Sequence, residues 1–116
     1  MQTLSFVLND PPYGTERSDN AWRLAKTLTV QPGRQVHAIL MADAVLCAEC
    51  GQMVLAGDDN IEAMPATVAL RGKVAWCGTC MDARGLQETE LMPDCRRSTM
   101  VELAQWTGQA DKVLVF

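Results

Sequence analysis

The chain has 116 residues, 48% of them hydrophobic and 21% charged, with a net charge of -4 at pH 7. Such a chain fits one domain, residues 1–116, whose core is large enough to need no metal or disulfide staple. Ten Lys and Arg against fourteen Asp and Glu exclude a nucleic-acid binder that works by neutralising phosphates, and no apolar run approaches membrane-spanning length.

In chain order, Thr3–Leu8 predicts a buried strand that ends at the turn-rich Asn9–Gly14. Met1–Leu8 has no basic leader and runs into Asn9-Asp10-Pro11-Pro12 too early for a signal peptide, so a cytoplasmic location and reduced thiols are expected. Thr15 or Ser18 is placed to cap a helix with Ala21, Leu24, Ala25 and Leu28 on one face. Pro32-Gly33 breaks the chain before a second strand, Gln35–Met41. Residues 42–57 read as helical at first, through Ala44, Val45, Cys47 and Ala48, and fade into a loop by Gly51. Asn60–Leu70 predicts another helix, which Pro65 threatens to kink.

Val74–Cys77 is the third strand, with a helix expected to begin near Cys80. Leu86–Met92 is ambiguous between a short helix and a short strand. Thr99 and Glu102 form a capping box ahead of a terminal helix with Met100, Leu103, Ala104 and Thr107 as its apolar stripe. Gly108–Asp111 turns the chain into a last strand, Val113–Phe116. Strands alternating with helices imply parallel pairing through right-handed crossovers. The fold class is therefore α/β, a three-layer α/β/α domain with a mostly parallel sheet of four to five strands in flavodoxin-like layering.

Chemistry concentrates at Trp76-Cys77-Gly78-Thr79-Cys80. Cys77 falls at a strand's carboxyl end, where open α/β sheets place their ligand crevices. A thiol at a strand–helix junction near a cation is a candidate nucleophile. Cys77, Cys80 and Arg84 are accordingly the candidate site, with Cys77 expected to be open to solvent and Gly78 to supply backbone freedom. The chain has five Cys, an odd count that suits a closed disulfide framework poorly. Cys47 and Cys50 make a second C-x-x-C unit, so a structural zinc site of Cys47, Cys50, Cys77 and Cys80 is the alternative to a site without cofactors. His37, alone in a strand pattern, reads better as a hydrogen-bonded strand residue than as a catalytic partner.

Several strings carry a family likeness: Asn9 to Ser18 with Asn20, Ala21, Arg23, Leu24 and Ala25; Met41 with Asp43, Ala44 and Val45; Cys77 to Leu86; Arg97 to Met100; and Ala110 to Val113. In order and spacing they resemble the DsrE/DsrF-like superfamily of small sulfur-handling proteins, which includes sulfur-relay subunits and a YchN-like branch. The resemblance implies an α/β/α domain assembled into trimers or hexamers. It also implies a cysteine that accepts sulfane sulfur as a persulfide, at the position of Cys77, with Arg84-Gly85 at the paired positions. Cys80 matches the YchN-like branch and has no counterpart in the relay subunits.

The resulting expectation is a sulfurtransferase-like persulfide carrier that works with sulfur donor and acceptor proteins, without nucleic acid or membrane. A zinc-stabilised or purely oligomeric scaffold with inert cysteines, and a dithiol redox protein, are the competing expectations.

Overall fold

Alternate side chains of a strand face opposite sides of a sheet, and here both sides are covered, so the central strands are buried nearly throughout. A computed structural model of the chain describes residues 1–14, 16–48, 63–87, 92 and 95–116. Five strands, β1 (Gln2–Leu8), β2 (Arg34–Leu40), β3 (Lys73–Cys77), β4 (Arg96–Ser98) and β5 (Lys112–Val115), form one sheet in the order β4-β3-β2-β1-β5. Every pairing is parallel. Four helices alternate with them: α1 (Arg17–Thr29), α2 (Ala63–Arg71), α3 (Gly78–Ala83) and α4 (Met100–Gln109); a 3₁₀ helix spans Ala42–Ala48.

Strands β1 to β4 advance in one direction, so right-handed crossovers carry α1, α2 and α3 over one face. Leu4, Phe6 and Leu8 of β1, Val36, Ala38 and Leu40 of β2, and Val74 and Trp76 of β3 pack there against Ala21, Trp22 and Ala25 of α1, Val68 of α2 and Met81 of α3. The step from β4 to β5 runs back across the whole sheet and puts α4 on the opposite face. Leu103 and Trp106 of α4 cover Ile39, Ala75 and Cys77 on that side.

Several expectations change in detail. The buried face of α1 is Ser18, Ala21, Trp22, Ala25 and Thr29, with Trp22 fully buried, whereas Leu24 is 41% exposed. Glu16 holds the N-cap position of α1 with no side-chain cap bond, and Ser18 instead donates its hydroxyl to the Asp10 carbonyl at 2.7 Å. Thr15 lies outside the described residues. Pro65 sits in the first turn of α2, where a missing N–H costs little. The fifth strand is Arg96–Ser98, and Leu86, Gln87 and Met92 carry no regular structure; residues 88–91 lie outside the described residues. Thr99 does cap α4, accepting the Glu102 N–H at 3.3 Å. On α4 the packed residues are Leu103 and Trp106, leaving Met100, Ala104 and Thr107 exposed. No helix among the described residues is long and apolar enough to cross a membrane.

Candidate dithiol site

The carboxyl ends of β3 and β4 lie side by side, with Cys77 and Ser98 in register. From Cys77 the chain leaves toward one face as α3; from Ser98 it leaves toward the other as α4. A crevice opens where neighbouring parallel strands send their connections to opposite faces. Topology thus sets Cys77 at the point where a parallel sheet is built to meet a ligand.

Cys77 is the N-cap of α3, with extended φ -68° and ψ 116°, and α3 begins at Gly78 rather than at Cys80. Its side chain enters the α4-side cluster with Ile39, Ala75, Leu103 and Trp106, and it is only 3% exposed. That corrects the expectation of an open thiol. Cys80 is the partly exposed member of the pair and touches both apolar clusters.

The neighbouring Cys77 thiol favours the protonated form of Cys80. Four influences act on this sulfur. Burial, the largest, raises the Cys80 pKa, and the Cys77 thiol adds to that; the Ala42 backbone and the Arg84 charge pull the other way. The net direction is upward. Ala42 adopts a left-handed backbone, φ 48°, directly after the turn that follows β2. A non-glycine residue there costs of order 1 kcal/mol.

Arg84 closes α3 as its C-cap residue. It donates Nε to Asp43 Oδ1 at 2.9 Å and Nη1 to the Cys80 carbonyl at 3.0 Å, while Nη2 lies 2.9 Å from the same Asp43 oxygen. An exposed pair of this kind adds little stability. Its effect is positional, because it ties the start of the 3₁₀ helix, and so Ala42, to α3. Gly85 follows with φ 66° in a Schellman turn, its N–H on Asp82 O and the Leu86 N–H on Met81 O. The Arg84-Gly85 pair therefore contains one site-positioning residue and one helix terminator.

A second cation escaped the sequence reading. Arg97, in β4, lays its guanidinium 5.7 Å from the Trp76 ring centre and bonds Asp82 of α3 at 2.9 and 3.3 Å. This pair holds the Asp82 carboxyl below the usual range, chiefly through the hydrogen bond from Arg97. A Cβ at position 78 would stand 2.7 Å from the Arg97 Cζ and Nε. Gly78 thus leaves room for the Arg97 guanidinium, which a side chain there would push aside. Only the pairing of β3 with β4 brings Arg97 to the first residue after Cys77, and no local spacing signals it.

The other candidates lie apart from the pair. Cys47 is fully buried in the α1-side core against Trp22 and Ser18, and burial pushes its pKa up to about 11. Cys50 lies outside the described residues. Among the described residues no three His, Cys, Asp or Glu side chains converge as metal ligands. Cys95 is buried in the α1-side cluster. His37 packs on Trp106 at 5.0 Å between ring centres, and neither of its ring nitrogens makes a hydrogen bond among the described residues, so it is a packed strand residue without the partner expected for it.

An all-parallel α/β domain with a dithiol at the strand–helix junction that follows β3 defines a class of small thiol-bearing proteins. The chain belongs to the DsrE/DsrF-like family, whose model matches residues 2–116. It is 38% identical to protein YchN of Escherichia coli over the full length of both chains, and 30% identical to the uncharacterized protein MK0008 of Methanopyrus kandleri over all of this chain and 95% of that one. The crystal structure of the E. coli ychN protein superposes with a TM-score of 0.93 at 40% identity, covering both chains completely. The structure of MTH1491 from Methanobacterium thermoautotrophicum shares the fold, with a TM-score of 0.71 at 9% identity.

Proposed function

We propose that the chain is a sulfur-relay protein of this family: a sulfurtransferase-like carrier in which Cys77 takes a sulfane sulfur from a donor persulfide and yields it to an acceptor. Its thiolate attacks the outer sulfur of the donor, the donor S–S bond breaks, and the donor leaves as a thiolate. The observation that carries the reading is the Cys77–Cys80 pair at the carboxyl end of β3, beside β4, with one thiol buried and the other partly exposed. Exchange at sulfur needs a thiolate, access and a tolerable leaving group, and the donor approaches over the partly exposed Cys80. Arg84 and Arg97 flank the pair and supply positive charge at its rim. Arg84 acts on the sulfurs mainly through the Ala42 loop that it fixes. Neither zinc nor an organic cofactor is needed.

Incubation with a small organic persulfide followed by intact-mass measurement tests the assignment. The protein is expected to gain the mass of one sulfur atom, and Cys77→Ala is expected not to. Uptake by Cys77→Ala equal to that of the unaltered protein would remove Cys77 from the role.

A further inference from the structure

We infer that the pair also reduces the sulfur it receives: Cys80 attacks a persulfide on Cys77 and releases hydrosulfide, leaving a Cys77–Cys80 disulfide. This inference rests on the carrier reading above. The Cys80 thiolate attacks the inner sulfur, the Cys77 Sγ. The bond from that atom to the terminal sulfur breaks, and the terminal sulfur departs as HS⁻ with the bonding pair. The sulfane sulfur gains two electrons while two thiols become one disulfide. The donor persulfide is the oxidant of the cycle, and an external dithiol resets the protein by reducing the disulfide.

Three observations point the same way. First, Cys77 caps α3 and Cys80 is its third residue. Helix geometry sets Cα atoms three positions apart at about 5 Å, and disulfides span Cα separations of about 4.4–6.8 Å. A bridge between the cap and the third residue of one helix is therefore within reach of the two side chains.

Second, the competing nucleophiles among the described residues are held off. At 3% exposure Cys77 is shielded from thiols in solution, and Cys47 and Cys95 belong to the cluster across the sheet. A nucleophile held in contact has a large kinetic advantage over a dissolved one. Third, Cys80 reaches solvent, so a reducing dithiol has a sulfur to attack. Burial and the neighbouring Cys77 raise the Cys80 pKa, which makes release faster as pH rises and thiolate forms.

The test uses reduced protein freed of reductant, given one equivalent of a small organic persulfide. Intact mass and liberated sulfide are followed over time at several pH values. The expected course is a transient gain of one sulfur, then a species two hydrogens lighter than the reduced protein. One hydrosulfide is expected per chain, and peptide mapping should place the bridge at Cys77–Cys80. Cys80→Ser is expected to keep the added sulfur and release sulfide at least about tenfold more slowly.

An unaltered protein that holds its added sulfur without forming a bridge, or that releases sulfide no faster than Cys80→Ser, overturns the inference and leaves the carrier reading standing. Absence of any sulfur uptake and of any sulfide overturns both. The time course of the unaltered chain decides the matter even if the variant folds poorly.

Discussion

Cys77 and Cys80 stand three positions apart in sequence, yet one is buried and its neighbour meets solvent, and this difference orders their reactivity. Under native conditions iodoacetamide should modify Cys80 first, with a rate that keeps rising above the pH at which ordinary thiols have ionised. Cys47, with its pKa near 11, should stay unmodified until the fold opens. Peptide mass spectrometry reads both, and early labelling of Cys47 would contradict the packing around Trp22. His37 offers a second test. Burial, then the charges of Lys73 and Arg96, lower its pKa below 6.5. A depressed imidazole pKa means the fold prefers the neutral ring. Its contribution to stability is present above 6.5 and is lost as pH falls through the lowered value. His37→Gln should flatten that acid-side decline in urea midpoint. Ala42→Gly should change stability by under about 1 kcal/mol, because relief of the left-handed strain offsets the added backbone freedom. The same change should shift the pH profile of Cys80 alkylation upward, because the Ala42 backbone lowers the Cys80 pKa and becomes freer. The cysteine pair and Arg84 were legible from the residue types around Cys77, whereas the burial of one thiol and the left-handed backbone at Ala42 depend on packing that spacing does not encode.

Local signals located some elements well and others not at all. Thr99 and Glu102 announced the start of α4, although only half of the box forms, since the Glu102 carboxylate instead takes the Ser98 hydroxyl at 2.8 Å and Arg96 at 3.1 Å. Thr99→Ala should therefore cost about 1 kcal/mol. Gly85→Ala should cost a similar ~1 kcal/mol because its φ of 66° is unfavourable for alanine. Urea unfolding measures both, and a neutral Gly85→Ala would deny the Schellman turn. Strand β4 escaped notice because three residues, two of them arginine, carry no alternation that a propensity reading can detect. They are a strand because β3 offers them an edge and because both cations have somewhere to go: Arg96 lies 5.1 Å from the Trp106 ring centre, and Arg97 lies over Trp76. The face of α1 was misassigned around Leu24 for a related reason. Trp22, the larger side chain, fits the space above β1 and β2, and volume in the core outranks the ordinary ranking of leucine over tryptophan as a helix former.

At the level of the whole molecule, the parallel layered architecture was readable from alternating apolar and helical stretches, but the order of strands was not. That order places the crevice, and with it the chemistry. It also leaves the α4 face thinly covered. A groove of about 390 Å³ lies there between Val7, Ile39 and Met41 of the sheet side and Met100, Leu103 and Ala104 of α4. Val113 and Val115, exposed beside it on β5, extend the apolar surface. The patch and the family likeness together predict self-association into a trimer or hexamer, with this face covered by another copy. Sedimentation at micromolar concentration should show that assembly, and a Met100→Glu variant should shift it toward monomer; a monomeric unaltered protein would refute the prediction. The same strand order bears on how the polypeptide is made. Thr3 and Asp111 are 108 positions apart, yet the Thr3 N–H bonds the Asp111 carboxylate at 2.7 Å and the Asp111 N–H returns to the Thr3 carbonyl at 2.9 Å. During synthesis, then, β1 waits as an open edge until the residues of β5 have left the ribosome. That is an interval in which a nascent chain is exposed to pairing with the wrong neighbour.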